Sequence, residues 1–277
     1  KNEHIAGYKG TYNHIKLEDI EDGEPKDFPV KGNRFAQVSS DNFEKIPGAP
    51  VAYWVSEKMM EAFEKGKALG DLVVARNGMK TGDNDRFVRL WWEISDKCMM
   101  AKAKNAEQAI QSGAKWFPYN KGGDARKWYG NNEYVVNWQN AGKEIFDDAK
   151  KDRRNVQDYP LDMKFSQSCT WSLISSGKPT FRFKEMNLSD IAGMSFYYGN
   201  ENLLYYIGFC NCQIAVDMLK ILAPTINYQA GDIARLPIVF SDKKDNVKTI
   251  AKENIESERM DWDSFETSWD FKKHPLI

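Results

Sequence analysis

The stretch that decides the fold is LVVARNGMKTGDNDRFVRLW, residues 72–91. Its two ends, residues 72–75 and 87–91, are rich in β-branched and other apolar side chains, a composition typical of strands. Between them lies a polar segment in which Gly78 and Gly82 favour turns. The stretch therefore predicts two strands joined by a loop that runs from Gly78 to Asn84.

A helix is predicted on the N-terminal side of this unit. Ser56 is a favourable N-cap residue, and the apolar residues that follow it recur at helical spacing. Gly66 or Gly70 would end this helix, because glycine is common just beyond a helix C-terminus. A second helix is predicted for residues 104–111, with Gly113 as its end.

The C-terminal half also predicts both kinds of element. Residues 165–183 suggest two strands joined through residues 175–178, and residues 201–222 have the broad apolar face of one long helix that ends before Pro224. Strands and helices in this order indicate an α+β fold, in which a mixed β-sheet is packed against helices. The division expected is a loop-rich and helical part at 1–70, a central domain at 71–240 and an acidic connecting segment at 241–277.

The composition excludes several classes of protein. The chain has 277 residues, of which 42% are hydrophobic and 29% charged, so it can bury a core and is not a disordered tail. No apolar run reaches the roughly 18 residues that a membrane span needs, and the N-terminal residues of the sequence lack the charged-then-apolar pattern of a signal peptide. We expect a soluble, cytoplasmic protein without a membrane partner. The net charge of −1 means that binding to a polyanion would have to rest on local charge.

The sequence contains few of the motifs that mark an active site. The sequence contains no phosphate-binding loop, no dinucleotide fingerprint and no nucleophile elbow. His4, His14 and His274 lie near the chain ends without partners at metal-ligand spacing, and the four cysteines match neither a disulfide framework nor a zinc site. We therefore predict no catalytic residue and no metal site. A split active site, completed by residues elsewhere, stays open.

Three segments combine cations, amides and aromatic rings in a way that suits an anionic ligand. Arginine and lysine pair with phosphates, asparagine reads base edges, and aromatic rings stack on bases. Residues 115–132 also hold four basic residues against Asp124 alone, which concentrates positive charge there. The candidate binding residues are Arg76, Asn77, Lys80, Thr81, Asn84 and Arg86 in the first segment, Lys115, Tyr119, Asn120, Lys121, Arg126, Lys127 and Trp128 in the second, and Thr170 and Lys178 in the third.

Other interpretations of these segments stay open. The first segment can be a polar hairpin loop, and Trp116 and Phe117 are better explained as core residues than as ligand contacts. Trp, Tyr, Asn and Gly also line carbohydrate-binding faces, and the same loops would suit a protein-interaction module. The clustering of lysine and arginine with the aromatic rings favours an anionic ligand instead.

Several longer motifs resemble one known family, the large adenine-specific DNA methyltransferases of the PglX type in bacterial BREX phage-defence systems. Related architecture occurs in fused type IIG restriction-methylation enzymes. The resemblance covers most of the chain from about Phe43. Its motifs are residues 46–48, 52–54, 81–84, 115–132, 224–229, 231–233, 236–238, 261–269 and 274–276.

The resemblance implies that residues 71–240 are a DNA target-recognition domain, with double-stranded DNA as partner. It also implies an upstream methyltransferase domain that uses S-adenosylmethionine, because the Asn-Pro-Pro-Tyr motif and the glycine-rich donor loop of the family have no counterpart here. We therefore expect no cofactor in this segment. Other phage-defence proteins or phage-encoded proteins are further partners to consider. The start at Lys1, without an initiator methionine, agrees with a piece of a longer protein.

Overall fold

The chain forms an α+β structure in which several small sheets are packed against helices. In this computed structural model, the described residues are 5–30, 32, 34–175, 177–274 and 276, so His4, Ser176 and Pro275 of the features above lie outside them. The strands are β1 (Lys9–Asn13), β2 (Ile20–Glu21), β3 (Glu24–Pro25), β4 (Arg34–Ser39), β5 (Lys67–Ala68), β6 (Val74–Arg76), β7 (Val88–Leu90), β8 (Trp116–Asn120), β9 (Tyr134–Asn137), β10 (Ser168–Trp171), β11 (Phe181–Lys184), β12 (Leu188–Ser189), β13 (Ser195–Tyr197) and β14 (Pro237–Ile238). The helices are α1 (Glu57–Lys65), α2 (Asn84–Phe87), α3 (Ala106–Gln111), α4 (Gln139–Asp152), α5 (Leu203–Cys210), α6 (Gln213–Leu222), α7 (Ala230–Ala234) and α8 (Lys244–Trp262).

The chain is divided into two compact units. The first lies within residues 1–67 and includes residues 237–239, and the second contains residues 68–236 and those from 240 onward. In the first unit, β1 pairs antiparallel with β4, and the rings of Tyr12 and Tyr53 stack with their centres 4.9 Å apart. The predicted helix near residue 57 is confirmed as α1: the Ser56 hydroxyl accepts a hydrogen bond from the Met59 amide, and Gly66 follows the last helical residue.

The second unit contains two four-stranded sheets. One has the order β11-β10-β13-β6 and is antiparallel throughout, and the other has the order β12-β8-β9-β7 with β12 and β8 parallel. The predicted strands around the Gly78–Asn84 loop are confirmed as β6 and β7, but they lie in different sheets and do not form a hairpin. The short helix α2 stands before β7, and its first turn is capped by Asp83, whose side chain accepts from the Arg86 amide.

Large aromatic side chains fill the core of the second unit. The Trp138 ring packs edge-on against Phe117 at 5.9 Å and against Phe165 at 5.4 Å between ring centres. All three side chains are almost completely buried. Rings of this size contribute much of the apolar area that stabilises a domain, and edge-on contacts add to it. The interpretation of Phe117 as a core residue is confirmed, whereas Trp116 is half-buried.

The long helix predicted for residues 201–222 is wrong in one respect: the segment forms two helices, α5 and α6, which are separated at Asn211 and Cys212. Asn211 is buried, and its side chain donates to the Phe181 carbonyl oxygen at 2.9 Å and accepts from the Phe181 amide at 3.1 Å. The Asn211 side chain thus supplies hydrogen-bond partners to the backbone of Phe181 at the edge of β11. In a continuous helix, this side chain would point elsewhere. The break therefore has a tertiary cause.

Replacing Asn211 with alanine is expected to reduce the free energy of unfolding by about 1–3 kcal/mol, because the Phe181 amide would lose the acceptor on Asn211 and the Phe181 carbonyl oxygen would keep only the Trp128 amide as donor. Urea unfolding followed by tryptophan fluorescence measures this change. Replacing Gln213 with alanine serves as the control, since its side chain bonds only at the exposed surface. Equal stabilities of the two variants would contradict this role of Asn211.

The C-terminal helix α8 is 19 residues long and packs against α5. Gly208 makes room for this contact, since a Cβ atom there would lie 2.9 Å from Val247 Cγ1. The apolar face of α8 buries Ala251, Ile255 and Trp262. The segment from Val247 onward, which looks acidic and exposed in the sequence, is thus partly buried through one face of a helix.

Candidate functional site

The loop after β6 is fixed against the strand β12. Gly78 lies so close to this strand that a Cβ atom would stand 2.0 Å from the Ser189 carbonyl oxygen. The Met79 amide donates to that same oxygen at 2.6 Å, and the Lys80 amide donates to Gln157 at 2.9 Å. The segment 77–84 is therefore held by backbone contacts on both sides, and the glycine is needed for the close approach.

A polar pocket opens beside this loop, and we call it the Asp190 pocket. Lys121, which follows β8, places its Nζ 3.2 Å from Asp190 Oδ2 and 5.6 Å from the centre of the Tyr119 ring. The Thr81 hydroxyl donates to Asn84 Oδ1 at 2.8 Å across the pocket wall. The pocket is lined by Lys80, Thr81, Gly82, Asp83, Asn84, Lys121, Asp190, Ile191 and Ala192.

Tyr119 supports the Asp190 pocket from below. Its hydroxyl lies 2.7 Å from Asp190 Oδ2, to which it donates, and 2.9 Å from the Met79 carbonyl oxygen. Burial, and then the negative charge of Asp190, raise the pKa of Tyr119 well above its usual value. The phenol therefore stays neutral and remains a hydrogen-bond donor to the carboxylate.

The candidate residues from two segments thus meet at one place. Lys80, Thr81 and Asn84 of the first segment and Lys121 of the second surround the Asp190 pocket. Asn84 and Lys121 also line an adjoining pocket together with Arg89 and Tyr134. A lysine pair beside a hydroxyl and an amide offers point charges for phosphate and hydrogen-bonding groups for a polar ligand.

The loop of residues 122–132 follows Lys121, and two buried cations of β11 hold it. Arg182 is 0% exposed and donates to the carbonyl oxygens of Arg126 at 3.2 Å and Gly122 at 3.3 Å. Lys184 is 3% exposed and donates to the carbonyl oxygens of Gly130 at 2.8 Å and Asn131 at 2.9 Å. Lys184 also donates to the side-chain oxygen of Asn132.

Burial changes the proton affinity of both cations. Desolvation lowers the pKa of Arg182 to about 10. Desolvation, and then the positive charge of Arg182, lower the pKa of Lys184 well below its usual value. The oxygen acceptors around both groups favour the charged forms. The positive charge at this place is therefore balanced mainly by carbonyl dipoles.

Three exposed or half-buried cations of the second and third segments have partners at the protein surface. Arg126 lies 3.2 Å from Asp261 and 3.8 Å from Glu258, with its guanidinium over the Trp262 ring. Lys127 donates to the Asn211 carbonyl oxygen at 2.9 Å, and Lys178 donates to Gln213 at 2.8 Å. The last two lysines therefore lie near each other at the start of α6, away from the Asp190 pocket.

Arg86 and Lys115 belong to an ion-pair group on α4. Arg86 pairs with Asp148 and lies 3.2 Å from Glu144, while Lys115 Nζ lies 4.0 Å from the other oxygen of Glu144. Glu144 also accepts from Asn137, and this bond, before the contact with Arg86, lowers the pKa of Glu144. The two cations are already paired with carboxylates in this structure.

Four of the candidate side chains are buried. Thr81 forms the pocket wall and Tyr119 its floor, as described above. Asn120 Nδ2 donates to Thr170 Oγ1 at 2.6 Å and to the Gly193 carbonyl oxygen at 3.0 Å. The Thr170 hydroxyl in turn donates to the Met194 carbonyl oxygen at 2.8 Å. In this structure Asn120 and Thr170 bind protein groups and connect β8 to β10.

Arg76, Asn77 and Trp128 are half-buried. Arg76 ends β6, and its Nε has no hydrogen-bond partner among the described residues. Asn77 follows it at the start of the loop. Trp128 pairs through its backbone with β11, since its amide donates to Phe181 at 2.8 Å and its carbonyl oxygen accepts from Phe183 at 2.7 Å.

The sequence did not point to Asp190 or Lys184, which organise the two parts of this site. Asp190 lies in a loop without any motif. The alternation Phe181-Arg182-Phe183-Lys184 is the only sequence signal for the buried cations, and it favours an exposed face for them, whereas all four residues are buried. Within the described ranges, the side chains of His, Cys, Asp and Glu do not gather into a group that would hold a metal ion. The helices described are each too short or too polar to traverse a lipid bilayer.

Comparison with known proteins identifies the class of protein to which the chain is similar. No protein-family model matches it. Along its whole length, however, the chain is homologous to a segment of adenine-specific methyltransferases. The resemblance to such enzymes that the motifs indicate is thereby confirmed.

Two curated relatives show this homology. The adenine-specific methyltransferase PglX of Lacticaseibacillus casei (strain Zhang) is 34% identical over 283 aligned residues, which cover 99% of this chain and 23% of the relative. The adenine-specific methyltransferase BrxX of Escherichia coli O9:H4 (strain HS) is 33% identical over 282 aligned residues, which cover 100% of this chain and 22% of the relative. The chain therefore spans less than a quarter of the length of the curated relatives that it matches.

Proposed function

We propose that this chain recognises the DNA target of a site-specific N6-adenine methyltransferase that acts in bacterial phage defence in the cytoplasm. The observation that carries the proposal is the similarity of the whole chain to adenine-specific methyltransferases. An enzyme of this kind must grip the duplex and select a sequence while the target base leaves the stack. Residues 71–240 are proposed as the domain that does so.

The Asp190 pocket is the proposed contact with DNA. Lys80 and Lys121 place two ammonium groups at its rim, the second of them paired with Asp190, and Asn84 and Thr81 supply an amide and a hydroxyl beside them. Lysines suit phosphate oxygens, and asparagine suits the edge of an adenine in the major groove. The surface residues Asn77, Arg86, Lys115, Arg126, Lys127, Trp128 and Lys178 remain further proposed contacts, and Arg76, Tyr119, Asn120 and Thr170 are proposed to support them from within.

S-adenosylmethionine is implied for the whole methyltransferase, but the residues of this chain do not fit it. The Asn-Pro-Pro-Tyr motif and a glycine-rich loop after a strand are both missing from the sequence. The Tyr119 ring below the Asp190 pocket is buried, and the side chains that line the pocket include no aromatic ring on which the adenine ring of the cofactor would stack. Methyl transfer is therefore assigned to a domain outside this chain.

A carbohydrate-binding module is not favoured by the second segment. Such a module presents flat aromatic rings to solvent, whereas Phe117 and Tyr119 are buried and the Tyr129 ring is covered by the Arg259 guanidinium at 4.6 Å. The similarity to methyltransferases points the same way. A screen of soluble oligosaccharides separates the two proposals, because specific binding to a sugar without binding to DNA would reverse their order.

The direct test of the proposal is binding of the purified chain to duplex DNA at several salt concentrations, measured by fluorescence anisotropy. We expect affinity to fall steeply as salt rises, because each neutralised phosphate releases counterions. Duplexes of several different sequences provide the comparison. Absence of binding at low salt to any of these duplexes would contradict the proposal.

The chain alone is expected to transfer no methyl groups, because it lacks both the donor-binding loop and the catalytic motif. Incubation with radiolabelled S-adenosylmethionine and duplex DNA measures the transfer, and calorimetry measures binding of the donor. We expect background radioactivity in the DNA and no heat from a stoichiometric site. Label in the DNA above the level of a heat-denatured sample would overturn this prediction.

A further inference from the structure

The loop of residues 122–132 turns its carbonyl oxygens toward the protein interior. Arg182 and Lys184 donate hydrogen bonds to four of them. The Ser172 hydroxyl donates to the Gly123 carbonyl oxygen at 2.8 Å, and Asn131 Nδ2 donates to those of Gly122 at 2.8 Å and Asp124 at 3.0 Å. The inward carbonyl oxygens belong to Gly122, Gly123, Asp124, Arg126, Gly130 and Asn131.

The opposite ends of these peptide groups must face outward. In a planar trans peptide, the N–H of one residue points away from the C=O of the residue before it. The amides of Gly123 and Lys127 therefore point away from Arg182, and those of Asp124 and Ala125 point away from Ser172 and Asn131. None of these four amides donates to an acceptor within the part of the chain that the structure describes. The positive φ angles of Gly122 and Gly123, 81° and 93°, allow the backbone to turn in this way.

Positive and negative side chains both lie around the loop, and they differ in how deeply they are buried. No carboxylate of the described residues hydrogen-bonds to Arg182 or Lys184, and Glu133 is the carboxylate whose field reaches both. Buried charges are screened much less than exposed ones. On the loop itself, Arg126 and Lys127 are positive and Asp124 is negative, and Asp261 and Glu258 of α8 face Arg126.

We propose that the outward amides of Gly123, Asp124 and Ala125, in the stretch whose flanking carbonyl oxygens Arg182 binds, form a binding site for a phosphate oxygen of the DNA backbone. Consecutive backbone N–H groups in a turn of this kind make concave anion sites. The inference rests on the proposed function in one respect, namely that DNA is the source of the phosphate. It adds main-chain donors to the proposed contacts Arg126 and Lys127, whose side chains have partners in the protein.

The experiment is a titration of the ¹⁵N-labelled chain followed by NMR, in one arm with inorganic phosphate and in the other with a short DNA duplex. In both arms we expect the amide signals of Gly123, Asp124 and Ala125 to move downfield with a common saturation curve. Chloride at equal ionic strength is the control for nonspecific charge effects. The fold is monitored in the same spectra by the signals of residues in α8.

Two variants test the origin of the site. Asp124→Asn removes the carboxylate on the loop and is expected to tighten phosphate about threefold, the effect of one unit charge several ångströms away in water. Asp71→Asn, at another exposed position, is the matched control and should leave the affinity unchanged. Arg182→Met is expected to weaken phosphate about tenfold or more, because the poorly screened charge behind the Gly122 carbonyl group is lost. The Asp124 variant keeps the test decisive if the Arg182 variant does not fold.

The two arms separate this inference from the proposed function. Movement of the loop amides with both ligands supports both proposals. Movement with phosphate but not with DNA retains the anion site and overturns DNA as its source. Binding of DNA without movement of the loop amides overturns the inference and leaves the proposed function standing. Equal affinity of Asp124→Asn and the unchanged chain for phosphate would also overturn the site.

Discussion

Replacing Lys80 and Lys121 together with glutamine is expected to weaken binding of the chain to duplex DNA by about a hundredfold. Each lysine offers one charge-assisted hydrogen bond to a phosphate, and bonds to charged groups contribute about 1.5–3 kcal/mol each. The slope of log affinity against log salt should become shallower by about two, since two phosphate contacts are lost. Glutamine is one bond shorter than lysine but keeps a donor for Asp190, so the pocket should survive.

The matched control replaces Lys65 and Lys143 with glutamine. Both are exposed lysines that pair with a carboxylate four residues away, and neither lines the Asp190 pocket. The net charge of the chain changes by the same amount in both double variants. A loss of affinity that is equal in the two would assign the effect to overall charge and remove the Asp190 pocket from the mechanism.

Replacing Gly78 with alanine is expected to reduce the free energy of unfolding by about 3 kcal/mol or more, at the upper end of what overpacking costs. The added methyl group would lie 2.0 Å from the Ser189 carbonyl oxygen, which is backbone and cannot rotate away. Relief requires β6 and β12 to separate, which breaks the bond between the Met79 amide and Ser189. Since that contact also positions Lys80, affinity for DNA should fall as well.

Gly231→Ala is the control for this variant. Gly231 lies within α7 and has open space where a Cβ atom would be, so alanine should be neutral or stabilise by up to about 1 kcal/mol through its higher helix propensity. Chemical unfolding of both variants, together with the unchanged chain, gives the comparison. A Gly78 variant as stable as the Gly231 variant would show that the contact with Ser189 is not as close as described.

The sequence predicted correctly those helices whose ends are fixed by neighbouring residues, such as an N-cap side chain or a terminal glycine. Ser56 and Gly66 bound α1, and Asn105 caps α3 where a helix is expected. The break between α5 and α6 was missed because its cause, the pair of hydrogen bonds between Asn211 and Phe181, joins residues 30 positions apart. The assignment of β6 and β7 to different sheets likewise depends on partners far away in the chain.

The candidate site shows the same limit. Lys80, Thr81, Asn84 and Lys121 were singled out for their chemistry, and the structure brings them around one pocket. The sequence could not predict the buried hydrogen bond between Asn120 and Thr170. Neighbouring residues do not show whether a polar side chain in a short strand is buried. Lys184 and Arg182 were missed as organising residues because cations are rarely buried without a carboxylate.

The most direct test of target recognition is an exchange of segments between whole methyltransferases. The part of the L. casei relative that matches this chain, 23% of its length, would be replaced by this chain. Methylated adenines in the DNA of the host are then mapped by sequencing. We predict that the hybrid methylates a sequence different from that of the unchanged relative and that this new sequence follows the grafted segment. Methylation by the hybrid at the original sequence of the relative would contradict the proposal that this chain reads the target.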